Sequence, residues 1–306
     1  MSARRYSTDR VAVVTLVFLV VTGVGCRRQD ADDLRAAVTL VRGWEFRQVD
    51  AEQWYPAEVP GCVHTDLLRN ELTPDPFYRD NELRLRWIEK SDWQYRVRFD
   101  VPPEVFGKDH IELVFEGLDT YATVVLNGQE ILDADNSFRT WRVDIGRLSM
   151  ETDNLLELRF RSPVEHDLPR VGERGYELMT VFDAPKTSPY TRKAPYHYGW
   201  DWGPRFVTSG IWRPVVLQGW NDVRLTDVQV VQREVSGEVA RLTFNVELES
   251  DGDHTVDLTV EDSTGAFKPQ TVSIDAHQGV NVAPIDVEIP NPSLWWPNGL
   301  GAVSYT

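Results

Sequence analysis

The chain has 306 residues, with 48 acidic against 32 basic side chains and a formal net charge of -16. That balance argues against a nucleic-acid partner, whose phosphates call for clustered Lys and Arg. The length suggests two domains of ordinary size, and 11 Trp against 3 Met suit β architecture better than a helical bundle.

The first 26 residues read as a targeting segment. Arg4, Arg5 and Arg10 lead an uncharged run over 11–25 that is too short for a comfortable transmembrane helix. Gly23-Val24-Gly25-Cys26 resembles a bacterial lipoprotein processing site, with Gly23 where such sites usually carry Leu. Two readings stand side by side: lipidation and membrane anchoring at Cys26, or ordinary cleavage near Gly25. Either implies an exported protein, periplasmic or held at the envelope. Residues 27–37 are polar and read as a linker. The second cysteine, Cys62, is expected as a small buried hydrophobe.

From residue 38 the chain turns to short strands. Residues 63–70 predict a helical turn capped by Thr65 or Asp66, and 74–82 a proline-ruled loop. Residues 91–101 alternate, with Trp93, Tyr95, Val97, Phe99 and Val101 on one face, as a half-buried strand does. Strands follow over 111–116, 122–126, 138–143, 155–160 and 211–218. Asn127-Gly128 marks a two-residue hairpin, because both residues accept positive φ. Many short strands with turns between them predict an antiparallel sandwich over 38–220. A second series over 221–306, with strands at 228–231, 240–247, 255–260 and 280–289, suits a small immunoglobulin-like sandwich. Its last sheet is unfinished at Thr306, which we read as the mark of a fragment.

The stretch from Lys193 to Pro214 organises the chemistry. It sets Tyr196, Tyr198, Trp200, Trp202 and Trp212 among His197, Asp201, Arg205 and Arg213. In an extended segment the four aromatics from Tyr196 to Trp202 share one side and His197 and Asp201 the other. Flat rings beside hydrogen-bonding groups match a sugar, whose C–H faces stack and whose hydroxyls need polar partners. The plainer reading makes the aromatics core and the Asp a structural ion pair with a nearby Arg.

Other site types fall away. Phosphate-binding glycine loops, Cys-x-x-Cys pairs and a Gly-x-Ser-x-Gly elbow are absent from the sequence. His64, Asp66, His197 and Asp201 follow no known ligand spacing, and Asp251 with Asp253 reads as a solvated acidic turn rather than a calcium site. Glu71 and Glu82 each follow Asn, as an acid/base glutamate often does, but both sit in loops and read as surface carboxylates.

The chain resembles the N-terminal part of a β-mannosidase of glycoside hydrolase family 2. The resemblance rests on residues 59–68, 74–82, 87–89 and 115–120, on Asp92, Trp93 and Tyr95, and above all on Tyr196-His197-Tyr198-Gly199-Trp200-Asp201-Trp202-Gly203-Pro204. It implies an all-β fragment: a jelly-roll, galactose-binding-like sandwich, then an incomplete immunoglobulin-like sandwich. In the family a catalytic (β/α)8 barrel follows with both catalytic glutamates, so the fragment is expected to be inactive and to partner that barrel. The activity implied is exo-hydrolysis of terminal non-reducing β-D-mannose by a retaining mechanism, without a cofactor. Trp200 and Asp201 match the loop that helps hold the terminal sugar of the β-mannoside, while His197 and Arg205 either line that pocket or orient Asp201. The rival is a non-catalytic, carbohydrate-binding envelope lipoprotein.

Overall fold

The computed structural model describes residues 11–12, 17–23, 35–173, 175–180, 184–262 and 265–296; Cys26 lies outside them. The chain divides into two compact units, residues 36–219 and residues 220–306 together with 1–35. In chain order the strands are β1 (Val11–Ala12), β2 (Val17–Gly23), β3 (Arg35–Thr39), β4 (Glu45–Gln48), β5 (Tyr55–Pro56), β6 (Trp93–Phe99), β7 (His110–Phe115), β8 (Leu118–Asp119), β9 (Tyr121–Leu126) and β10 (Gln129–Ala134). They continue as β11 (Trp141–Asp144), β12 (Asn154–Arg161), β13 (Gly210–Ile211), β14 (Val215–Trp220), β15 (Val223–Val235), β16 (Val239–Ser250), β17 (His254–Asp262), β18 (Gln270–Ala276), β19 (Gly279–Pro290) and β20 (Leu294–Trp295).

In the first unit a six-stranded sheet in the order β10-β9-β12-β6-β4-β5 accompanies a four-stranded sheet in the order β11-β7-β14-β3. Strand β6 buries Trp93, Tyr95, Val97 and Phe99 and leaves the residues between them more exposed, as its alternation predicts. β12 pairs antiparallel with β6, setting Leu156 opposite Val97 and Phe160 opposite Trp93, so one apolar face is continuous across both strands. Phe46, Trp93, Tyr95, Phe115 and Phe160 belong to the core that results, and each such ring contributes roughly 1.5–3 kcal/mol by leaving water. Asn127 and Gly128 both take positive φ, +51° and +83°, and close the β9–β10 hairpin. Asn127 also accepts from Leu155 N and donates to Leu148 O, each at 2.9 Å, which ties the turn to β12.

The helix Val63–Arg69 is capped three residues before the nearer of the expected caps, Thr65. Cys62 is the N-cap, and Thr65, three residues on, reaches back to accept from Cys62 N at 3.3 Å and to donate to Cys62 O at 2.7 Å. Asp66 turns inward instead. Its carboxylate accepts from Tyr95 Oη at 2.9 Å, Glu58 N at 3.0 Å and Arg69 Nη1 at 2.8 Å, yet burial, the largest influence, still holds its pKa above the usual carboxylate value.

The second unit packs β15-β16-β19 and β18-β17-β2 over a core that includes Leu242, Phe244, Val256, Leu258 and Ile285. β19 alternates, burying Ala283, Ile285, Val287 and Ile289. β15 is longer than the sequence suggested because two bulges, at Leu225/Asp227 and Gln232/Glu234, let it follow β16 along nearly its whole length. β18 was not foreseen; its burial pattern is weak. The apolar run set aside as targeting sequence contains β2, which pairs antiparallel with β17 from Gly23 opposite Val256 to Val17 opposite Asp262. Its backbone supplies ladder partners for the edge of β17.

Candidate functional site

The stretch that the sequence singled out is a shaped loop, not an extended segment. Pro195–Tyr198 forms a 3-10 turn, and Gly199 follows at φ +101°, a conformation that only glycine adopts cheaply. The expected alternation therefore fails. Tyr198 points inward and is 1% exposed, whereas Tyr196 and Trp202, core aromatics in the plainer reading, are 64% and 82% exposed. Trp200 N donates to Gly203 O at 3.1 Å and Gly203 N to Trp200 O at 3.4 Å, closing a tight turn with Asp201 at its tip. The two indoles stand 5.6 Å apart, inclined at 67°. A recess of about 570 Å3 lies against Pro195, Tyr196, Trp200, Trp202, Gly203 and Pro204.

Asp201 is exposed, and among the described residues none forms an ion pair with it. The structural pair goes to Arg205 and Glu89 instead. Arg205 Nε donates to both Glu89 oxygens, at 2.9 and 3.1 Å, and both side chains are almost wholly buried. Arg205 Nη1 also donates to Tyr198 O at 3.2 Å, and Arg205 N to Glu82 Oε1 at 3.0 Å. Arg205 thus neither orients Asp201 nor faces open solvent; it anchors the base of the loop. Glu82, expected as a surface carboxylate, is part of that anchor.

His197 joins a different group. Lys193, buried, donates to Asp119 Oδ2, to Thr208 O at 2.9 Å and to Thr208 Oγ1 at 2.9 Å. Thr208 Oγ1 lies 2.7 Å from Asp119 Oδ2 and 3.2 Å from His197 Nδ1. Burial first, and the Lys193 charge second, push both His197 and His64 down to about 4, so both imidazoles are neutral at pH 7. Burial pushes Lys193 down as well, with the Asp119 carboxylate opposing it. The group borders a cavity of about 340 Å3, onto which Cys62 opens; the thiol is half-buried rather than sealed in the core.

The sequence thus singled out the loop on which Trp200 and Asp201 are exposed, but gave no sign of the Lys193–Asp119–Thr208 group. Lys193 opens the organising stretch and Asp119 falls in residues 115–120, yet 74 residues separate them, and nothing local marks them as partners. The His64, Asp66, His197 and Asp201 set does not converge, since Asp66 is spent on Tyr95, Glu58 and Arg69. In the second unit Asp253 pairs with His277 at 2.9 Å and Asp251 with His254 at 2.8 Å.

Residues 44–213 match the family described as the glycosyl hydrolase 2 galactose-binding domain-like domain, and residues 223–302 match glycosyl hydrolases family 2. The chain is 36% identical over 270 residues to β-mannosidase B of Aspergillus fumigatus and 34% identical over 269 residues to that of Thermothelomyces thermophilus. Each alignment covers 86% of this chain and 31% of the relative, so the chain spans about a third of the length of the curated relatives it matches. Among solved structures, a β-D-mannosidase from Dictyoglomus thermophilum superposes with a TM-score of 0.81 at 39% identity, over 87% of this chain and 33% of that one. An exo-chitosanase from Amycolatopsis orientalis, at 19% identity and a TM-score of 0.62, shares the fold. With both units matched, this chain belongs to glycoside hydrolase family 2.

Proposed function

We propose that this chain is the N-terminal, substrate-facing part of an exo-acting β-mannosidase that releases terminal non-reducing β-D-mannose with retention of configuration. The observation that carries the reading is Asp201, an exposed carboxylate without an ion-pair partner among the described residues, held at a turn between Trp200 and Trp202. A carboxylate so placed accepts hydrogen bonds from two sugar hydroxyls, while an indole covers the C–H face of the ring. The resemblance of the whole chain to β-mannosidases from two fungi and a bacterium supports mannose as that sugar. Retaining hydrolysis needs an acid/base and a nucleophilic carboxylate about 5 Å apart, and in this reading a barrel outside these residues supplies both. These residues alone then bind the β-mannoside without cleaving it.

Replacing Asp201 with Ala in the barrel-containing enzyme tests the assignment. Loss of a charged hydrogen-bond acceptor, worth about 1.5–3 kcal/mol, lowers kcat/KM on an aryl β-mannoside by roughly 10- to 150-fold, with the unfolding midpoint unmoved. An unchanged kcat/KM removes Asp201 from the sugar site. The same reading places the protein outside the cytoplasm, anchored through Cys26 or cleaved near Gly25. The mass of the mature N-terminal peptide separates the two, since a diacylated Cys26 adds the mass of its lipid.

A further inference from the structure

The cavity beside His197 has a polar floor whose hydrogens can be assigned. Thr208 carries one hydroxyl hydrogen, and the Asp119 carboxylate at 2.7 Å takes it, because an ionised carboxylate only accepts. Lys193 Nζ at 2.9 Å only donates. The Thr208 oxygen therefore faces His197 Nδ1, at 3.2 Å, as an acceptor. The proton of the neutral imidazole is fixed on Nδ1, and Nε2 keeps its lone pair with no hydrogen-bond partner among the described residues.

Above this floor stand three aromatic rings. Tyr196 lies edge-on to His197, with centroids 4.8 Å apart at 78°. Trp212 is fixed by donating from Nε1 to Ser137 O at 2.9 Å and by lying so close over Gly117 that a Cβ there would come within 2.5 Å of it. Phe138 is 64% exposed at the rim. A volume of about 340 Å3 is at the small end of ligand pockets. Lys193 and Asp119 cancel each other's charge, and His197 is neutral. The site thus favours neither an anion nor a cation, but a neutral ring with apolar faces and hydroxyls on its edge.

We propose that the cavity bounded by Tyr196, Phe138, Trp212 and His197 is a second sugar subsite, in which His197 Nε2 accepts a hydrogen bond from a hydroxyl of a pyranose unit. Tyr196 also lines the recess of Trp200 and Trp202, so the two recesses adjoin. The proposal rests on the β-mannosidase reading for the identity of the sugar. It assigns the cavity to an inner unit of an oligosaccharide whose terminal mannose lies at Asp201.

The test is a titration of the 306-residue chain with β-linked mannotriose, followed by the 15N signals of its histidines and by the alkylation rate of Cys62, read by peptide mass. The subsite predicts a saturable shift at His197 Nε2 and slower alkylation of Cys62, which opens onto the same cavity. Tyr196→Ala, which removes an exposed ring, raises the Kd for both responses roughly five-fold. An unmoved His197 signal with unprotected Cys62, or responses that Tyr196→Ala leaves unchanged, overturns the proposal. Failure of the β-mannosidase reading shows separately, as absent mannoside hydrolysis by the barrel-containing enzyme.

Discussion

In the unit of residues 36–219, Asp66, Glu89, Asp119, Asp167, Lys193 and Arg205 are all buried, whereas among the described residues of the second unit the buried polar side chains are Thr243 and Ser250. The second unit keeps its charges at or near its surface, as in the exposed pairing of Arg241 with Glu288 at 2.9 Å. A sandwich of this size therefore needs no buried ion pairs to fold. Taking charges out of water costs several kcal/mol per ion, and even good pairing does little more than offset it. The buried pairs of the first unit are better understood as devices that hold irregular loops. Glu89 and Arg205 fasten the 195–205 loop, Asp119 and Lys193 fasten the floor of the cavity, and Asp167 gathers Tyr121, Arg170 and Thr191. The loop that bears the candidate site has few regular backbone ladders of its own, and these side chains replace them.

The comparison breaks most sharply at Arg205. Arg205→Ala leaves Glu89 buried without its charge partner, which costs about 3–5 kcal/mol, and chemical denaturation of the chain reads that loss. The double variant Arg205→Met with Glu89→Gln recovers most of it if the pair serves placement rather than stability. Recovery together with lost sugar binding separates the two roles.

Acid comes next. His64 and His197 have folded values near 4, below the 6.5 of a free imidazole. Between these values the unfolded chain binds protons that the folded chain refuses, so the stabilisation present above pH 6.5 is lost as the pH falls towards 4. His64, the more buried, accounts for about 3 kcal/mol of this loss, and His197, which opens onto the cavity, for less. Denaturation midpoints measured from pH 7 to pH 4 show the slope, and His64→Gln flattens it. Asp66 works in the opposite direction over a lower range: its raised value favours the folded state as the carboxyl becomes protonated. Just above the ordinary carboxylate value of 3.8 the fall is therefore shallower than the histidines alone would give.

The smallest effect belongs to the second unit. Arg241 touches Glu234 and Glu288 on an exposed sheet face, where water and salt screen the pairing. Arg241→Ala leaves the unfolding midpoint where it is, and a clear drop would mean that the two units do not differ as described.

Periodicity is a local property, and the sequence carried it well. The alternation of β6, the Asn127-Gly128 hairpin and the strands β16, β17 and β19 of the second unit were legible because a pleated strand repeats every two residues, and a two-residue turn requires positive φ at both positions. The tip residues Trp200 and Asp201 were legible as well, through family motifs. The side of the loop on which each aromatic falls was not legible, because the 3-10 turn at Pro195–Tyr198 and Gly199 break the alternation. Nor were the partners of the charged residues. Arg205 lies four residues from Asp201 in sequence and yet pairs with Glu89, 116 residues away, and Lys193 pairs with Asp119 across 74 residues. Sequence by itself determined most of the strands and turns and the chemistry on offer. Which carboxylate is paired and buried, which is exposed and unpaired among the described residues, and which imidazole nitrogen is free were decided by tertiary structure alone, because burial and long-range pairing set charge states.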